Sequence, residues 1–407
     1  MIERVAYLSM HTSPLLQPGA GDAGGMNVYI DGLARTMAGR GVAVDVFTRR
    51  TEPDQPDEVA VAPGYRVFHV DAGPAEPMQI RPMAIYVTEF AESVVARIDL
   101  DGQRPDLIHS HYWLSGWAGL LVKRKLGIPL ANSFHTLGRV KDLFKRADEP
   151  PESLLRIAAE AEVIHNSECV VASTPLEARD LLEHYGADPG RLCTSPPGVD
   201  HTVFAPGDRA EARSRVGFGP PPVLLYAGRI QPLKGVDVAL GAFRLVREAF
   251  PEASMVIVGG PSGAQGREEL DRLRALAADI GGVDFRDPVP HDDLADHFRA
   301  ADVLLLPSRT ESFGLVAAEA QSCGLPVIAA RTGGLSHVVD HDTSGFLIDG
   351  WDPADYAAAA IDVLSDRALA DRLRDGALGW SQRFSWDATA NRFLELYAGV
   401  KERAGQA

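Results

Sequence analysis

The chain has 407 residues, of which 45% are hydrophobic and 24% charged, the usual mix for a globular protein. This length exceeds what a single hydrophobic core usually serves, and it therefore predicts two domains. The formal net charge of −16 argues against non-specific binding to nucleic acid, so any anionic ligand must meet a local cluster of cations.

The cysteines and the first residues bear on the compartment of the protein. The first residues have the pattern of a β-strand rather than a signal peptide, and no run of about 18 apolar residues predicts a membrane span. Cys169, Cys193 and Cys323 are widely spaced, odd in number and without a C-x-x-C pair. They predict separate buried thiols in the cytoplasm, with neither a disulfide framework nor a zinc site.

Short runs of β-branched and apolar residues alternate with longer amphipathic stretches along the chain. The predicted strands, in chain order, are residues 5–9, 42–48, 66–70, 107–110, 130–133, 170–173, 223–227, 255–258, 303–307 and 327–329. Amphipathic helices are predicted between them, among others at residues 28–40, 236–249 and 266–279. This alternation predicts an α/β fold with one parallel sheet in each half.

A break in the pattern predicts the domain boundary. Prolines and a glycine interrupt the alternation at residues 195–200, so we expect one domain at residues 1–197 and a second at residues 198–385. The C-terminal helix, residues 386–407, is expected to complete the first domain. Two doubly wound, Rossmann-like domains would face each other across a cleft at the carboxyl ends of their strands, where ligands of such folds bind.

A glycine-rich segment at residues 21–27 follows the first strand and precedes an amphipathic helix. Glycines let the backbone approach a ligand closely, and a helix N-terminus offers free N–H groups to an anion. A flexible turn is the alternative interpretation of such a segment. Its spacing is not G-x-G-x-x-G, so it does not indicate a nicotinamide site.

Two cations follow the predicted strand at residues 223–227. Arg229 and Lys234 lie five positions apart in a strand-to-helix loop, where they can converge on one diphosphate. An arginine binds such a group with a planar fork and a lysine as a point charge. Solvated surface charges are the alternative, but the carboxyl end of a strand favours ligand binding.

Two carboxylates follow the predicted strand at residues 303–307. Glu311 lies in the loop, and Glu319 lies in the next helix among apolar residues, a poor place for a charge without a partner. Acidic residues can hold vicinal hydroxyls such as those of a ribose. The helix N-terminus near Phe313, Gly314 and Leu315 adds N–H donors for phosphate. A simple N-terminal helix carboxylate is the alternative for Glu311.

Polar and aromatic residues lie near strand ends in the first half: His109, His111, Tyr112, His135 and Thr136. His109 and His111 are expected to face opposite sides of an extended strand, which disfavours a shared metal ion. A lone histidine here is more often a structural hydrogen-bonding group. His135 and Thr136, which follow a strand, are better placed to face the cleft.

Six segments together indicate a family: residues 11–14, 21–29, 109–116, 229–234, 259–263 and 311–319. Over almost its whole length the chain resembles the retaining glycosyltransferases of family 4. The resemblance implies the GT-B architecture, with an acceptor-side domain at residues 1–197 and a nucleotide-sugar donor domain at residues 198–385. Within the family the chain is most similar to the actinobacterial subfamily of the mycothiol pathway, whose acceptor is an inositol phosphate.

The resemblance implies roles for the donor half of the cleft. Arg229 and Lys234 would neutralise the donor diphosphate, Glu311 would hold hydroxyls of the donor sugar, and Glu319 those of the ribose. The implied catalytic residues are His135 beside the transferred sugar, Arg229, Lys234 and Glu311, and the implied donor-binding residues also include Gly25, Phe313, Gly314, Leu315 and Glu319.

The acceptor half matches the subfamily less completely. There, a lysine, a tyrosine, a threonine and an arginine hold the acceptor phosphate; Tyr112, Thr136 and Arg156 match three of these, and Asn27 matches a residue that touches the inositol ring. The lysine has no match, because Arg81 is the only basic residue in segment 73–82. Either Arg81 replaces it, or the acceptor is a different cyclitol or sugar, phosphorylated or not, such as an aminocyclitol.

The resemblance therefore implies a hexosyltransferase that moves GlcNAc or glucose from a UDP-sugar to a hydroxyl of a small cyclitol or sugar acceptor, with or without a phosphate group like that of an inositol phosphate. No cofactor or metal site is expected, and Mg²⁺ is compatible with the donor without being implied. A homodimer is the default expectation from base rates. A sugar phosphorylase, a nucleotide-sugar epimerase and a non-catalytic nucleotide-sugar sensor are the alternatives on the same fold.

Overall fold

The computed structural model describes residues 2–19, 21–145, 150–220, 222–263 and 265–406, without the side chains of residues 405 and 406. Residue 407 of the predicted C-terminal helix lies outside the described residues. Within these ranges the chain forms two separate sheets flanked by helices. No helix in them has the length and apolar character needed to cross a membrane.

The first sheet has eight strands. They are β1 (Arg4–Leu8), β2 (Ala43–Arg49), β3 (Glu58–Ala62), β4 (Tyr65–Val70), β5 (Leu107–His111), β6 (Leu130–Ser133), β7 (Cys169–Ala172) and β8 (Leu192–Thr194). Their order is β3-β4-β2-β1-β5-β6-β7-β8. The expectation of a fully parallel sheet is wrong at one edge, where β3 pairs antiparallel with β4. The turn between these strands spans only residues 63 and 64, which permits a hairpin but no crossover.

The second sheet has six strands. They are β9 (Val223–Ala227), β10 (Ser254–Val258), β11 (Val283–Arg286), β12 (Val303–Leu306), β13 (Val327–Ala330) and β14 (Gly345–Ile348). Their order is β11-β10-β9-β12-β13-β14, and every neighbouring pair is parallel. The prediction of a parallel sheet is confirmed for this half.

Helices connect and cover the strands. In the first half they are α1 (Gly25–Gly39), α2 (Ile80–Met83), α3 (Val87–Asp101), α4 (Tyr112–Leu126), α5 (Gly138–Phe144), α6 (Leu154–Asn166) and α7 (Pro175–Tyr185). Later in the chain they are α8 (Arg209–Val216), α9 (Val236–Ala249), α10 (Gly266–Ile280), α11 (Leu294–Ala300), α12 (Leu315–Ser322), α13 (Leu335–Val338), α14 (Pro353–Ser365), α15 (Arg367–Ser381) and α16 (Trp386–Gln406). Single 3₁₀ turns span Ala84–Tyr86, Pro189–Arg191, Pro232–Lys234 and His291–Asp293.

The apolar core is divided among three clusters. One cluster is formed by the second sheet and the helices that cover it. The first sheet has one cluster on each face, because alternate residues of a strand point to opposite sides. The C-terminal helix α16 crosses back to the first sheet. Its Phe393 and Tyr397 are fully buried in the cluster that also contains Tyr7 and Ile30.

The cysteines differ from the expectation of three separate thiols. Cys169 in β7 and Cys193 in β8 form a disulfide, with their Cα atoms 6.2 Å apart, while Cys323 is free and buried. The expectation was wrong because it considered spacing along the chain. The parallel pairing of β7 with β8 brings together two residues that are 24 positions apart.

The chain crosses from one half to the other twice, at residues 198–199 and at residues 384–386, and these two segments lie side by side. Val199 donates its N–H to the carbonyl of Phe384 at 3.2 Å, and it forms a parallel bridge with Ser385. The segments approach so closely at Gly198 that a Cβ atom there would lie 2.1 Å from the backbone nitrogen of Trp386. Glycine is therefore required at this position.

We predict that Gly198→Ala destabilises the protein by about 1–3 kcal/mol, the usual cost of overpacking, because backbone atoms must move apart. The free energy of unfolding, measured in urea, tests this. Gly39→Ala is the control, because a Cβ atom there meets nothing within 4 Å. Equal urea midpoints for the two variants would show that the close approach at Gly198 is not rigid.

Candidate active site

Both sheets reverse their strand order once, and the site residues follow the strands at these two points. In the first sheet the reversal falls between β1 and β5, which lead to Gly25 and Tyr112 at the starts of α1 and α4. In the second sheet it falls between β9 and β12, which lead to Arg229 and Glu311. Ligands of open α/β sheets bind at such points, so this topology predicts one shared site.

Three adjoining pockets form a cleft between the halves. The first is lined by Gly24 on one side and by Arg229 and Glu319 on the other. The second shares Arg229 with the first and adds His135. The third shares Tyr112 with the second and is the most open to solvent of the three. We call these the donor pocket, the central pocket and the outer pocket.

Positive charge is fixed where the donor and central pockets meet. Lys234 ends the 3₁₀ turn after β9, and its Nζ lies 2.5 Å from Oε2 of Glu311. The guanidinium of Arg229 lies against the glycine-rich segment, since a Cβ atom at Gly24 would lie 3.1 Å from its Nε, and Nη1 reaches Ser262 Oγ at 3.4 Å. The structure thus brings together the two cations and one carboxylate that the sequence indicates.

Glu319 lies in the donor pocket with a partner that the sequence did not reveal. Its side chain is almost completely buried, and Oε1 lies 2.8 Å from Nε2 of His291. Burial lowers the pKa of His291, but the charge and hydrogen bond of Glu319, together with the charges of Asp292 and Asp31, outweigh this effect and raise the pKa above its usual value. The pair accounts for a carboxylate among apolar residues and fixes its orientation.

The start of α12 forms the boundary between the donor and central pockets. Gly314, with a φ of 103°, precedes the helix, and both it and Leu315 line the two pockets. Phe313 is buried and lines the central pocket. Gly25 lies opposite, where a Cβ atom would be 3.5 Å from the Leu315 side chain. Two helix N-termini, of α1 and α12, therefore face the same space.

His135 lies in the central pocket with a strained backbone. His135 and Tyr112 have φ values of 60° and 78°, a region that non-glycine residues rarely adopt and that recurs at functional sites. Nε2 of His135 lies 3.0 Å from Nδ1 of His111, and the His135 carbonyl accepts a hydrogen bond from Ser312 of the other half. Burial lowers the pKa of His135 to about 3.

His109 and His111 face the same side of β5, so the expectation that they face opposite sides is wrong. Residues two positions apart in a strand point the same way, and these two rings are 4.2 Å apart. Both are fully buried. His109 is held by Ser133 Oγ at 2.9 Å and Tyr397 OH at 2.7 Å, which makes it a structural hydrogen-bonding group.

The structure brings together three of the residues predicted to hold the acceptor. Nη2 of Arg156 lies 3.1 Å from both the carbonyl oxygen and Oγ1 of Thr136. Cζ of Arg156 lies 5.1 Å from the ring centroid of Tyr112, within the range of a cation–π contact. All three lie on walls of the central or outer pocket.

Asn27 is placed apart from these three. Its Nδ2 donates to Thr12 Oγ1 at 2.8 Å and to the Ser13 carbonyl at 2.6 Å, and its Oδ1 accepts the N–H of Gly24 at 2.9 Å. These bonds use both amide protons to fold the loop before α1. The predicted contact of Asn27 with an acceptor stays a prediction.

Arg81 and Lys141 lie on the wall of the outer pocket. Arg81 is exposed, and its Nη2 donates to the carbonyl of Pro151 at 3.0 Å. Lys141, on α5, lines both the central and outer pockets. No sequence signal points to Lys141, because it lies five positions after Thr136 and outside the matched segments.

His11 is a second pocket residue without an assigned role in the sequence analysis. Its ring lies 4.6 Å from the ring of Tyr112 and lines the central pocket. Burial, aided by the charges of Arg229 and Arg156, lowers the pKa of His11 to about 3. The motif at residues 11–14 was the available signal, but it did not indicate a role.

Family models and relatives match nearly the whole chain. The model described as Glycosyl transferase 4-like domain matches residues 24–198, and the one described as Glycosyl transferases group 1 matches residues 208–380. The D-inositol 3-phosphate glycosyltransferase of Acidothermus cellulolyticus is 45% identical over 97% of this chain and 90% of its own length. This chain belongs to the group 1 glycosyltransferases.

Two further comparisons agree with this assignment to the group 1 glycosyltransferases. D-inositol 3-phosphate glycosyltransferase 2 of Catenulispora acidiphila is 46% identical over 97% of this chain and 94% of its own length. The structure of the sucrose-phosphate synthase of Thermosynechococcus elongatus superposes with a TM-score of 0.90 at 30% identity, over 97% of this chain and 98% of that one. The predicted family and GT-B fold are confirmed, and a phosphorylase or an epimerase gains no support.

We predict that Lys234→Ala lowers kcat by at least about a hundredfold, the scale of one lost charge-stabilising donor in an active site. Steady-state kinetics of sugar transfer checks this. Lys123→Ala is the control, because Lys123 pairs with Glu168 away from the cleft. Turnover like that of the wild type would remove Lys234 from the mechanism.

We predict that the imidazole of His135 stays neutral from pH 5 to pH 8, because burial lowers its pKa to about 3. NMR titration of the ring protons, assigned by their loss in His135→Gln, measures this. The pH–rate profile should accordingly have no acid limb from His135 in this range. A ring that titrates near pH 6.5 would contradict a buried, neutral histidine.

Proposed function

We propose that this glycosyltransferase transfers GlcNAc or glucose from a UDP-sugar to a hydroxyl of an inositol phosphate, with retention of configuration. The observation that carries the proposal is the order of groups along the cleft. The paired carboxylate Glu319 lies at one end, Arg229 and Lys234 follow, and the cluster of Tyr112 and Arg156 lies at the other end. This order fits a nucleotide, a diphosphate, a sugar and an acceptor in turn.

The donor would lie with its nucleotide in the donor pocket. His291 holds Oε1 of Glu319, so the carboxylate has a fixed orientation from which to accept hydrogen bonds of the ribose hydroxyls. Arg229, Lys234 and the N–H groups at the start of α12 would bind the diphosphate. Glu311, held by Lys234, would accept hydrogen bonds from hydroxyls of the donor sugar.

Cleavage of the bond between sugar and phosphate moves negative charge onto the leaving diphosphate. Arg229 and Lys234 would stabilise that charge, each worth about 3–4 kcal/mol if it acts as a well-placed donor. Glu311 is already paired with Lys234, which does not suit it to act as a nucleophile. The leaving phosphate would therefore take the proton of the acceptor hydroxyl, and the neutral His135 would position the sugar.

The acceptor would lie between the central and outer pockets. The relatives named above act, by their names, on D-inositol 3-phosphate. Tyr112, Thr136 and Arg156 form a compact cluster that suits a phosphate group. The cytoplasmic location, the homodimer and the independence from a metal ion stay predictions.

UDP release measured over a panel of donors and acceptors tests the proposal. The donors are UDP-GlcNAc and UDP-glucose, and the acceptors are 1-L-inositol 1-phosphate, free inositol and sugar phosphates. We expect one UDP for each glycosylated inositol phosphate. Donor turnover that does not depend on any acceptor, or exclusive use of an unrelated acceptor, would contradict it.

A further inference from the structure

The acceptor cluster already contains an anion that belongs to the chain. Oε1 of Glu152, in the loop before α6, lies 2.5 Å from Nζ of Lys141 and 3.1 Å from Nη1 of Arg156. Arg81 binds the carbonyl of the preceding residue, Pro151. In the described part of the chain, two cations therefore pair with one carboxylate on the wall of the outer pocket, and the charge of a third, Arg81, also acts on it.

The remaining nitrogens of Arg156 have partners within the fold. Nε lies 2.8 Å from the fully buried Glu160, and Nη2 is bound to Thr136. The Arg156 side chain is only 3% exposed. Nη1 is thus the position at which Arg156 can meet an outside anion, and Glu152 is bound there.

Glu152 is partly exposed to solvent, whereas Glu160 is fully buried. The Glu152 side chain is 16% exposed, and it lies on the wall of the outer pocket. Burial raises the pKa of the Glu152 carboxyl, but the charges of Arg156, Lys141 and Arg81 outweigh this effect and hold the pKa below its usual value. The carboxylate is therefore ionised, and it can be exchanged for another anion without leaving a buried charge unpaired.

We propose that Glu152 is a displaceable internal counter-ion that occupies the anion subsite of the acceptor, and that Lys141 is a second cation of that subsite. The inference rests on the proposed function, because it assumes that the acceptor binds beside Arg156. A phosphate monoester entering the outer pocket replaces the carboxylate on Lys141 and Arg156, while the Glu152 side chain turns towards solvent. Lys141 then takes the place of the lysine missing from segment 73–82.

In this exchange Lys141 and Arg156 favour a phosphorylated acceptor, and Glu152 competes with the acceptor phosphate for them. A dianionic phosphate with three acceptor oxygens binds two cations better than one carboxylate does, so it offsets the loss of the Glu152 ion pairs. An uncharged cyclitol offers no such replacement and leaves the internal pairs intact. The cluster therefore selects acceptors that carry a phosphate group.

The test is the ratio of kcat/KM for 1-L-inositol 1-phosphate to kcat/KM for free inositol, measured by UDP release. In Glu152→Gln this ratio should rise at least about fivefold, the scale of one partly exposed ion pair that no longer competes. In Lys141→Ala the ratio should fall, and Lys141→Arg should restore it. A ratio in Glu152→Gln that is unchanged or lower would overturn the inference.

Glu168→Gln is the matched control. Glu168 also pairs with a lysine of the same half, Lys123, and its side chain is 19% exposed, but it does not line the cleft. Its replacement should leave the ratio at the wild-type value. An equal rise in both variants would mean that general loss of negative charge causes the effect, which would also overturn the inference.

Inorganic phosphate separates this inference from the proposed function. If no variant glycosylates inositol phosphate while another acceptor is used, the proposed function has failed. Calorimetric titration with phosphate, in the presence of UDP, then decides the inference. A dissociation constant at least about fivefold lower in Glu152→Gln than in the wild type supports the anion subsite, and equal constants overturn it.

Discussion

The ion pair between Lys234 and Glu311 is the contact on which the geometry of the cleft depends. It joins the loops that follow β9 and β12, the two strands at the reversal of the second sheet. The pair holds the ammonium group beside Arg229, so positive charge is fixed where a leaving diphosphate would gain negative charge. The chain as a whole has a net charge of −16 and would repel an anionic donor. This local positive charge offsets that repulsion inside the cleft.

The other charged residues of the cleft are also paired, because a buried charge requires a partner. His291 holds Glu319, and Glu160 holds Arg156 from within the core. Such partners keep each group in one orientation before any ligand arrives, which reduces the reorganisation needed during reaction. Glu152 carries the same sign of charge as a phosphate ligand and lies on the wall of the outer pocket, so its pairing with Arg156 instead becomes a point of exchange with the ligand.

The sequence predicts the central strands of both sheets to within one or two residues, because buried parallel strands are short, nearly continuous apolar runs. The sequence does not predict the edge strands β3, β8, β11 and β14: β3 and β11 contain charged residues, β8 has only three residues, and β14 begins with a glycine. The cations and carboxylates that follow β9 and β12 were found because the carboxyl ends of strands have a fixed place in such folds. Side-chain partners such as His291 and Glu152, and the Cys169–Cys193 pair, depend on packing between distant segments, which spacing along the chain does not encode.

A crystal structure of the protein with UDP and 1-L-inositol 1-phosphate tests the central claim most directly. The account predicts diphosphate oxygens within about 3 Å of Lys234 Nζ and the Arg229 guanidinium, as charge-assisted hydrogen bonds require. It also predicts the acceptor phosphate on Arg156 and Lys141, with the Glu152 side chain turned outwards. A diphosphate bound away from Arg229 and Lys234 would contradict the account.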